Sequence, residues 1–400
     1  MNIILVNPLN QVNGEQSIGG VEYHRMFKPN YILTSTHPES YTADSLLMTN
    51  GIGEGIDKSY EDGEIKFNLD QTDLVMFSRE IPDTVAQFLN NRNIPFGLDL
   101  DDYWHLPEHH VAYEDYLKFN KSGTTVQSIR DAHFVTCTTP ILAEKIKEFN
   151  KNVYVLPNGI DTTDEAWQPN KTESKRLRFG FTGGNTHHID LGMIAPSVRK
   201  AFTDVKFYSK AQVLMAGHRP YKQEVTHTGK GVQFHGDGII VEQYCENILT
   251  DNLNCLKGWD KYRHDLFYNL PTEEKNAPYR RVGIIPVQEF GYLYNDIDIC
   301  VAPLLDNEFN SCKSELKMLE AGFKDCAIML HHVKPYTLLA TDKNSFDLCK
   351  KSFYEWARIL INNPNLVADT KAQLREDVKP YDLKLLSEKR NEVYQKYKKK

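Results

Sequence analysis

The chain lacks any apolar run approaching the roughly 18 residues needed to cross a bilayer as a helix. Its opening stretch, MNIILVNPLN, has no basic leader, and its apolar run stops at Asn7. We therefore expect a first strand rather than a signal peptide, no stable membrane insertion and a cytoplasmic location. Cysteines are few and scattered: Cys137, Cys245, Cys255, Cys300, Cys312, Cys326 and Cys349 are odd in number and contain no C-x-x-C pair. That argues against a disulfide scaffold and a structural zinc site, and for a reducing compartment. The G-x-G-x-x-G dinucleotide fingerprint is also absent, as are internal repeats and low-complexity tracts. Basic residues are scarce in the first part. Residues 1–165 hold 12 Lys+Arg against 25 Asp+Glu, a balance of −13, which leaves 47 − 12 = 35 against 54 − 25 = 29, or +6, for the remainder. An anionic ligand suits the second half, and the first half offers no general basic field for nucleic acid.

What is present is alternation. Short apolar runs at Asn2 to Val6, Tyr31 to Thr34, Leu74 to Phe77, Pro95 to Leu100, His133 to Cys137 and Val153 to Leu156 are separated by helix-like segments such as Pro82 to Asn91 and Pro140 to Phe149. Strands alternating with helices predict a parallel sheet covered on both faces. After Leu156 the segment PNGIDTTDEAWQPNKTESK reads as a connection. The pattern then restarts with Leu177 to Thr182, a helix near Ile189 to Phe202, Val213 to Ala216, Val282 to Pro286, Asp296 to Leu305 and Cys326 to Leu330. The α/β fold expected is two Rossmann-like domains joined near residues 157–176. The boundaries are an N-terminal domain over 1–160, a C-terminal domain over 161–380 and a helix over 381–400 that crosses back to the first domain. An insertion at about 218–281, with aromatic and basic residues interleaved, interrupts the second domain and is a candidate for acceptor recognition; a decoration with solvated charges explains it equally well.

The segment FNSCKSELKMLEAG, Phe309 to Gly322, follows the apolar run IDICVAPLL. A helix capped by Asn310 or Ser311 would put Lys313 in its first turn, where backbone N–H groups favour carboxylates by roughly 0.3 to 1 kcal/mol. Lys313 and Lys317 stand at i, i+4 and repel, so a purely structural helix gains little from them. A strand, a short loop and a lysine-bearing helix start suit a phosphate. A surface amphipathic helix is the competing explanation.

These residues resemble the donor-binding segment of GT-B glycosyltransferases of the GT4-like group (glycosyltransferase group 1), in the branch common in phage and bacterial genomes. The sequence VLPNGID, Val155 to Asp161, is similar to that family's interdomain signature. The resemblance implies two Rossmann-like domains facing across a central cleft. It implies Glu320 as the ribose ligand, with Asn310, Ser311, Lys313, Ser314 and Lys317 serving phosphate or sugar. One departure stands out: the family pattern has two glutamates separated by seven residues, and the position eight before Glu320 is Cys312.

Two glycine loops fit the same scheme. RFGFTGGNTHHID, Arg178 to Asp190, is a strand running through Gly183 and Gly184 into a helix capped by Asn185 or Thr186, with His187 or His188 within reach of phosphate. SIGGVEYHR, Ser17 to Arg25, would line the reaction centre through Gly19 and Gly20. Finally, LDLDDYWHLP gathers Asp99, Asp101 and Asp102 at the expected C-terminal end of a strand, the edge at which open α/β sheets bind ligands. Three crowded carboxylates resist simultaneous ionisation. Asp101 and Asp102 are the candidate catalytic residues, with Arg79 in reach of the same edge; metal coordination and helix capping are the alternatives. The function expected is transfer of a hexosyl or pentosyl group from a nucleotide sugar, a UDP-sugar first, to a glycan or to a hydroxylated base in phage DNA. By resemblance it retains configuration and needs no metal or other cofactor. A noncatalytic nucleotide-sugar-binding protein and a sugar-nucleotide epimerase are the alternatives, and the oligomeric state expected is a monomer or weak dimer.

Overall fold

Period-two burial on both faces of short strands organises the molecule. In Ile3–Val6, Ile4 and Val6 join one apolar cluster while Ile3 and Leu5 join another, as a parallel strand covered by helices on each side requires. The computed structural model describes residues 1–6, 10–12, 15–17, 19–41, 46–49, 71–110, 112–183, 187–217, 221–228, 231–233, 239–243, 278–282 and 285–400. The chain divides into two compact units. The first is Met1–Asp164 with Asn307–Leu319 and Lys379–Lys400, and the second is Glu165–Asp306 with Glu320–Val378.

The first unit contains a six-stranded parallel sheet in the order Leu46–Thr49, Ile3–Val6, Leu74–Ser78, Phe96–Leu100, Phe134–Cys137, Val153–Val155. One face packs on Val85 and Leu89 of the helix Asp83–Asn91 and on Leu142 and Ile146 of Pro140–Lys147. Thr139 caps the latter helix by accepting from Leu142 N–H, with Pro140 as its first residue. The other face meets Met26, Leu33, Val393 and Tyr394. Val393 and Tyr394 come from the C-terminal helix Leu383–Tyr397, capped by Asp382. The ring of Tyr397 stacks on Phe134 at 4.3 Å.

Tyr31 to Thr34, expected as a strand, lies inside the helix Lys28–Thr36. The β-branched composition of this segment suggests a strand, but the buried positions Met26, Pro29, Asn30 and Leu33 recur at helical spacing. The segment continues the π-helical turn Glu22–Phe27, and Pro29 sits where a helix start tolerates it.

In the second unit the strand order is Tyr279–Val282, Ala211–Ala216, Leu177–Thr182, Ile299–Ala302, Ala327–Leu330, Phe346–Asp347, again all parallel. Its chain order reads 3-2-1-4-5-6, the doubly wound arrangement whose direction reverses between Leu177–Thr182 and Ile299–Ala302. Phe179, Phe181, Val213, Met215 and Val301 form its core with Leu191, Ile194 and Val198 of the helix His188–Thr203 and Phe353, Ala357 and Leu360 of Phe353–Asn362. A reciprocal Ser352–Glu355 capping box starts the last of these.

The expected insertion ends earlier than residue 281, because Tyr279–Val282 is the edge strand of this sheet. Within it, Tyr221–Thr228 pairs antiparallel with Gly231–Gln233 and Ile239–Gln243; its other aromatic and basic stretches lie outside the described residues.

Candidate active-site residues

Within the first unit the strands Leu74–Ser78 and Phe96–Leu100 end side by side, joined by Arg79 N–H donating to the Asp99 carbonyl at 3.0 Å. Arg79 holds φ at 68°, a left-handed conformation that costs a non-glycine residue about 1 kcal/mol and points to a local purpose. Its guanidinium lies 3.5 Å from Glu22 Oε1 and 3.8 Å from Asp101 Oδ1. Burial, followed by the neighbouring Asp102 charge, pushes the Asp101 carboxyl up from 3.8 to about 6. Asp102 faces Lys313, Oδ1 to Nζ 3.2 Å, and the same ammonium stands 4.6 Å over the ring of Phe309. The cluster joins residues from four distant segments: Glu22, Arg79, Asp101 with Asp102, and Lys313.

The third carboxylate plays another part. Asp99 is buried and receives Arg25 through Nε at 3.1 Å and Nη2 at 2.7 and 2.8 Å. Arg25 Nη1 also donates to the Leu156 carbonyl at 2.7 Å and to Asn158 Oδ1 at 3.3 Å, and Asn158 Nδ2 donates to Ser314 Oγ at 2.7 Å. A buried arginine thus ties the strand end, the helix after Gly20 and the VLPNG segment to the loop carrying Ser314, and engages both oxygens of the Asp99 carboxylate. Sequence inspection missed Arg25, because its partners are 74 to 133 residues away. The Gly19 carbonyl accepts from Tyr23 N–H at 2.9 Å. A Cβ added at Gly20 would meet nothing within 4 Å, so packing inside the protein does not demand a glycine there.

The segment around Lys313 departs from expectation in three ways. It belongs to the first unit, not the second. The short helix is Glu308–Ser311, capped by Asn307, whose side chain accepts from Asn310 N–H at 2.8 Å, so neither Asn310 nor Ser311 is the cap. Ser311 Oγ donates instead to the Glu308 carbonyl at 2.7 Å, and Asn310 is buried. Lys313 then lies between that helix and Leu316–Phe323, which carries the half-buried Lys317 as its second residue. Cys312 is fully buried among the apolar residues of the first unit. Burial raises its thiol pKa, and the position that carries a glutamate in the resembling family is here a packing position.

In the second unit the strand Leu177–Thr182 runs into Gly183, whose φ of +141° suits glycine. Gly184 and Asn185, together with Thr186, lie outside the described residues. His187 occupies the cap position of the helix His188–Thr203 and makes no side-chain cap bond, while the expected caps Asn185 and Thr186 lie outside the described residues. His187 Nδ1 pairs with Asp190 Oδ2 at 2.8 Å, and Asp190 Oδ1 accepts from Leu305 N–H at 2.8 Å. A buried carboxylate therefore fixes the imidazole and links the two strand ends at the reversal point of the sheet. The i, i+3 spacing of His187 and Asp190 was visible in sequence, although its partner Leu305 was not. Beside it, the buried Tyr294 hydroxyl donates to Glu320 Oε2 at 2.6 Å and pairs with Thr182 Oγ1 at 2.8 Å. Burial and the Glu320 charge raise the Tyr294 pKa. Glu320 is 2% exposed. Among the described residues, His332, Asp342 and Asp347 offer metal-ligating atoms within 4.8 Å of one another. Lys350 Nζ already donates to both Asp342 oxygens, each at 2.6 Å, and supplies the positive charge there.

No protein-family model matches the sequence, and no curated protein sequence matches it. Solved structures do match its fold. Sucrose-phosphate synthase from Thermosynechococcus elongatus is similar with a TM-score of 0.58 at 9% identity, over 99% of this chain and 99% of that one. A glycosyltransferase from Rickettsia africae ESF-5 gives 0.55 at 13% identity, over 99% and 98%. An alpha-glucosyltransferase in complex with UDP-glucose and DNA containing an abasic site gives 0.54 at 10% identity, over 98% and 98%. The chain spans about half the length, 54%, of TarM, which it matches at 14% identity over 80% of its own length with a TM-score of 0.48. The likenesses to the first three, with TM-scores above 0.5, establish the fold: two Rossmann-like units, as in GT-B glycosyltransferases.

Proposed function

We propose that the chain is a glycosyltransferase of the GT4-like kind that moves a sugar from a nucleotide-sugar donor, a UDP-sugar first, to an acceptor hydroxyl. The observation that carries this reading is the second unit's strand-end arrangement: Gly183 at positive φ, His187 held by Asp190, and the start of a sixteen-residue helix, all at the reversal point of a doubly wound sheet. Exposed N–H groups at a helix start and a glycine turn bind oxyanions. There they stabilise the diphosphate as its bond to the anomeric carbon breaks. With Nδ1 committed to Asp190, His187 offers Nε2 to a phosphate oxygen. Glu320, anchored by Tyr294, is the ribose ligand.

The first unit's cluster is assigned to the acceptor. Asp101, with a pKa near 6, takes a proton from a hydroxyl near neutral pH, and Asp102 and Arg79 orient the acceptor. Glu22, Asp101 and Asp102 outnumber Arg79 and Lys313, which favours a neutral glycan hydroxyl over the phosphate backbone of DNA. If the donor phosphate rather than Asp101 receives the proton, attack on the same face retains configuration. Determining the product anomer by NMR decides between the two. The buried Cys312 keeps a noncatalytic binding protein in view as the second reading.

The test is incubation with a panel of radiolabelled UDP-, GDP- and ADP-sugars, with and without glycan and hydroxymethylated-DNA acceptors. Acceptor-dependent release of UDP supports the proposal. Saturable donor binding with no turnover supports the second reading, and loss of all nucleotide affinity removes both.

A further inference from the structure

The second unit carries a pocket of about 410 Å³ at the edge of its sheet opposite Gly183 and His187. Its lining comes from the places where strands begin. Leu177 is the first residue of one strand, Lys210 precedes Ala211–Ala216, and Asp298 precedes Ile299–Ala302. A six-residue strand puts this edge about 20 Å from the proposed donor loop.

Its charges do not balance. Five cationic side chains face the pocket against Asp298 and Asp325, and both carboxylates are engaged. Asp298 holds Arg178, with Oδ1 at 2.8 Å from Nη2 and Oδ2 at 3.0 Å from Nε, and Asp325 accepts from Lys371 at 2.7 Å. Lys171 donates to the Tyr294 and Ile297 carbonyls and to Cys326 Sγ. That leaves Lys175, Arg176 and Lys210, which have no carboxylate in ion-pair distance among the described residues. Arg176 Nη1 donates to two neutral carbonyls, Tyr208 at 2.6 Å and Ala211 at 2.8 Å. These bonds fix its direction but bring no opposite charge, and burial pulls its pKa below the ordinary value. Lys175 is its chain neighbour, and Lys210 adjoins the Ala211 carbonyl that holds it. The facing wall is apolar: Leu360, Pro364 and Val367.

We propose that this pocket is a second ligand site, for a small phosphate monoester with an apolar body. The phosphoryl group, close to a dianion at neutral pH, sits among Lys175, Arg176 and Lys210, and its organic part lies on Leu360, Pro364 and Val367. A carboxylate would offset one of three cations, and free inorganic phosphate would leave the apolar wall uncovered. The site is separate from the proposed donor site and does not depend on that assignment.

Calorimetric titration of the full chain with hexyl phosphate tests it, with inorganic phosphate, hexanol and UDP titrated in parallel. Saturable binding of one hexyl phosphate is expected, weaker for inorganic phosphate and absent for hexanol. In the Lys175→Glu, Lys210→Glu variant its affinity falls by about tenfold or more. The neutral Lys175→Ala, Lys210→Ala variant gives an intermediate loss, and UDP affinity stays the same in both. Equal hexyl phosphate affinity in parent and variants, no saturable binding, or mutual displacement of hexyl phosphate and UDP would each overturn the proposal, and none of these bears on whether UDP binds at Gly183.

Discussion

Replacing Asp101 by asparagine should make the protein more stable, and only above a defined pH. The folded protein pushes this carboxyl from 3.8 up to about 6, so ionising it in place is harder than in the unfolded chain. Between roughly pH 4 and 6 the folded state then holds more protons than the unfolded one, and stability falls as pH rises through that window. At about 1.36 kcal/mol per pH unit, a separation of about two units sets an upper bound near 3 kcal/mol for the cost at pH 7.5. Asp102 shares the charge and moves with it, so a gain of about 1 to 3 kcal/mol is expected for Asp101→Asn. Urea unfolding followed by tryptophan fluorescence suits the measurement, because Trp104 is buried in the same unit. The gain should be present at pH 7.5, shrink as pH falls through the window and vanish below about pH 3, where the parent carboxyl is protonated in both states. A variant that is less stable than the parent, or a difference that ignores pH, would refute the electrostatic reading of this cluster. Loss of acceptor turnover together with the gain would mark strain kept for function.

Further outcomes follow from other contacts. Cys312→Glu should destabilise the first unit by about 3 kcal/mol or more, because the carboxylate would enter an apolar core; this is read as a lowered urea midpoint. His187→Ala should weaken UDP affinity by about tenfold in calorimetry while leaving the unfolding midpoint within about 0.5 kcal/mol, since the ring is a third exposed. Lys313→Ala should cost at most about 1 kcal/mol of stability in urea unfolding, because its pair with Asp102 is partly solvated. Arg25→Ala should be the most damaging, at about 3 to 5 kcal/mol, by leaving Asp99 buried without its partner.

The parallel sheets were legible because buried strands are short, apolar and spaced by helices, a signal that needs no knowledge of distant partners. The expected runs at Leu74 to Phe77 and Leu177 to Thr182 lie within or coincide with observed strands. Tyr31 to Thr34 misled because its β-branched residues also fit a helix whose buried positions include Met26 and Leu33. Leu46–Thr49 escaped notice among polar neighbours. The candidate cluster was legible as a set of residue types at strand ends, and Arg79, Asp101 and Asp102 do lie near one another in the first unit. Its wiring was not: Lys313 and Asp102 stand 211 positions apart, and Arg25, Asp190 and Tyr294 act through partners that no local pattern announces. The placement of Asn307–Leu319 in the first unit has the same cause, since packing rather than chain order decides it.

The central claim is that Gly183 and His187 at a strand end, with Glu320 on the helix Leu316–Phe323, hold a nucleotide diphosphate. A crystal soaked with UDP tests it most directly. Diphosphate density at the start of helix His188–Thr203, with the ribose hydroxyls on Glu320, is the expected result; UDP bound instead among Lys175, Arg176 and Lys210, or nowhere in the second unit, would contradict it.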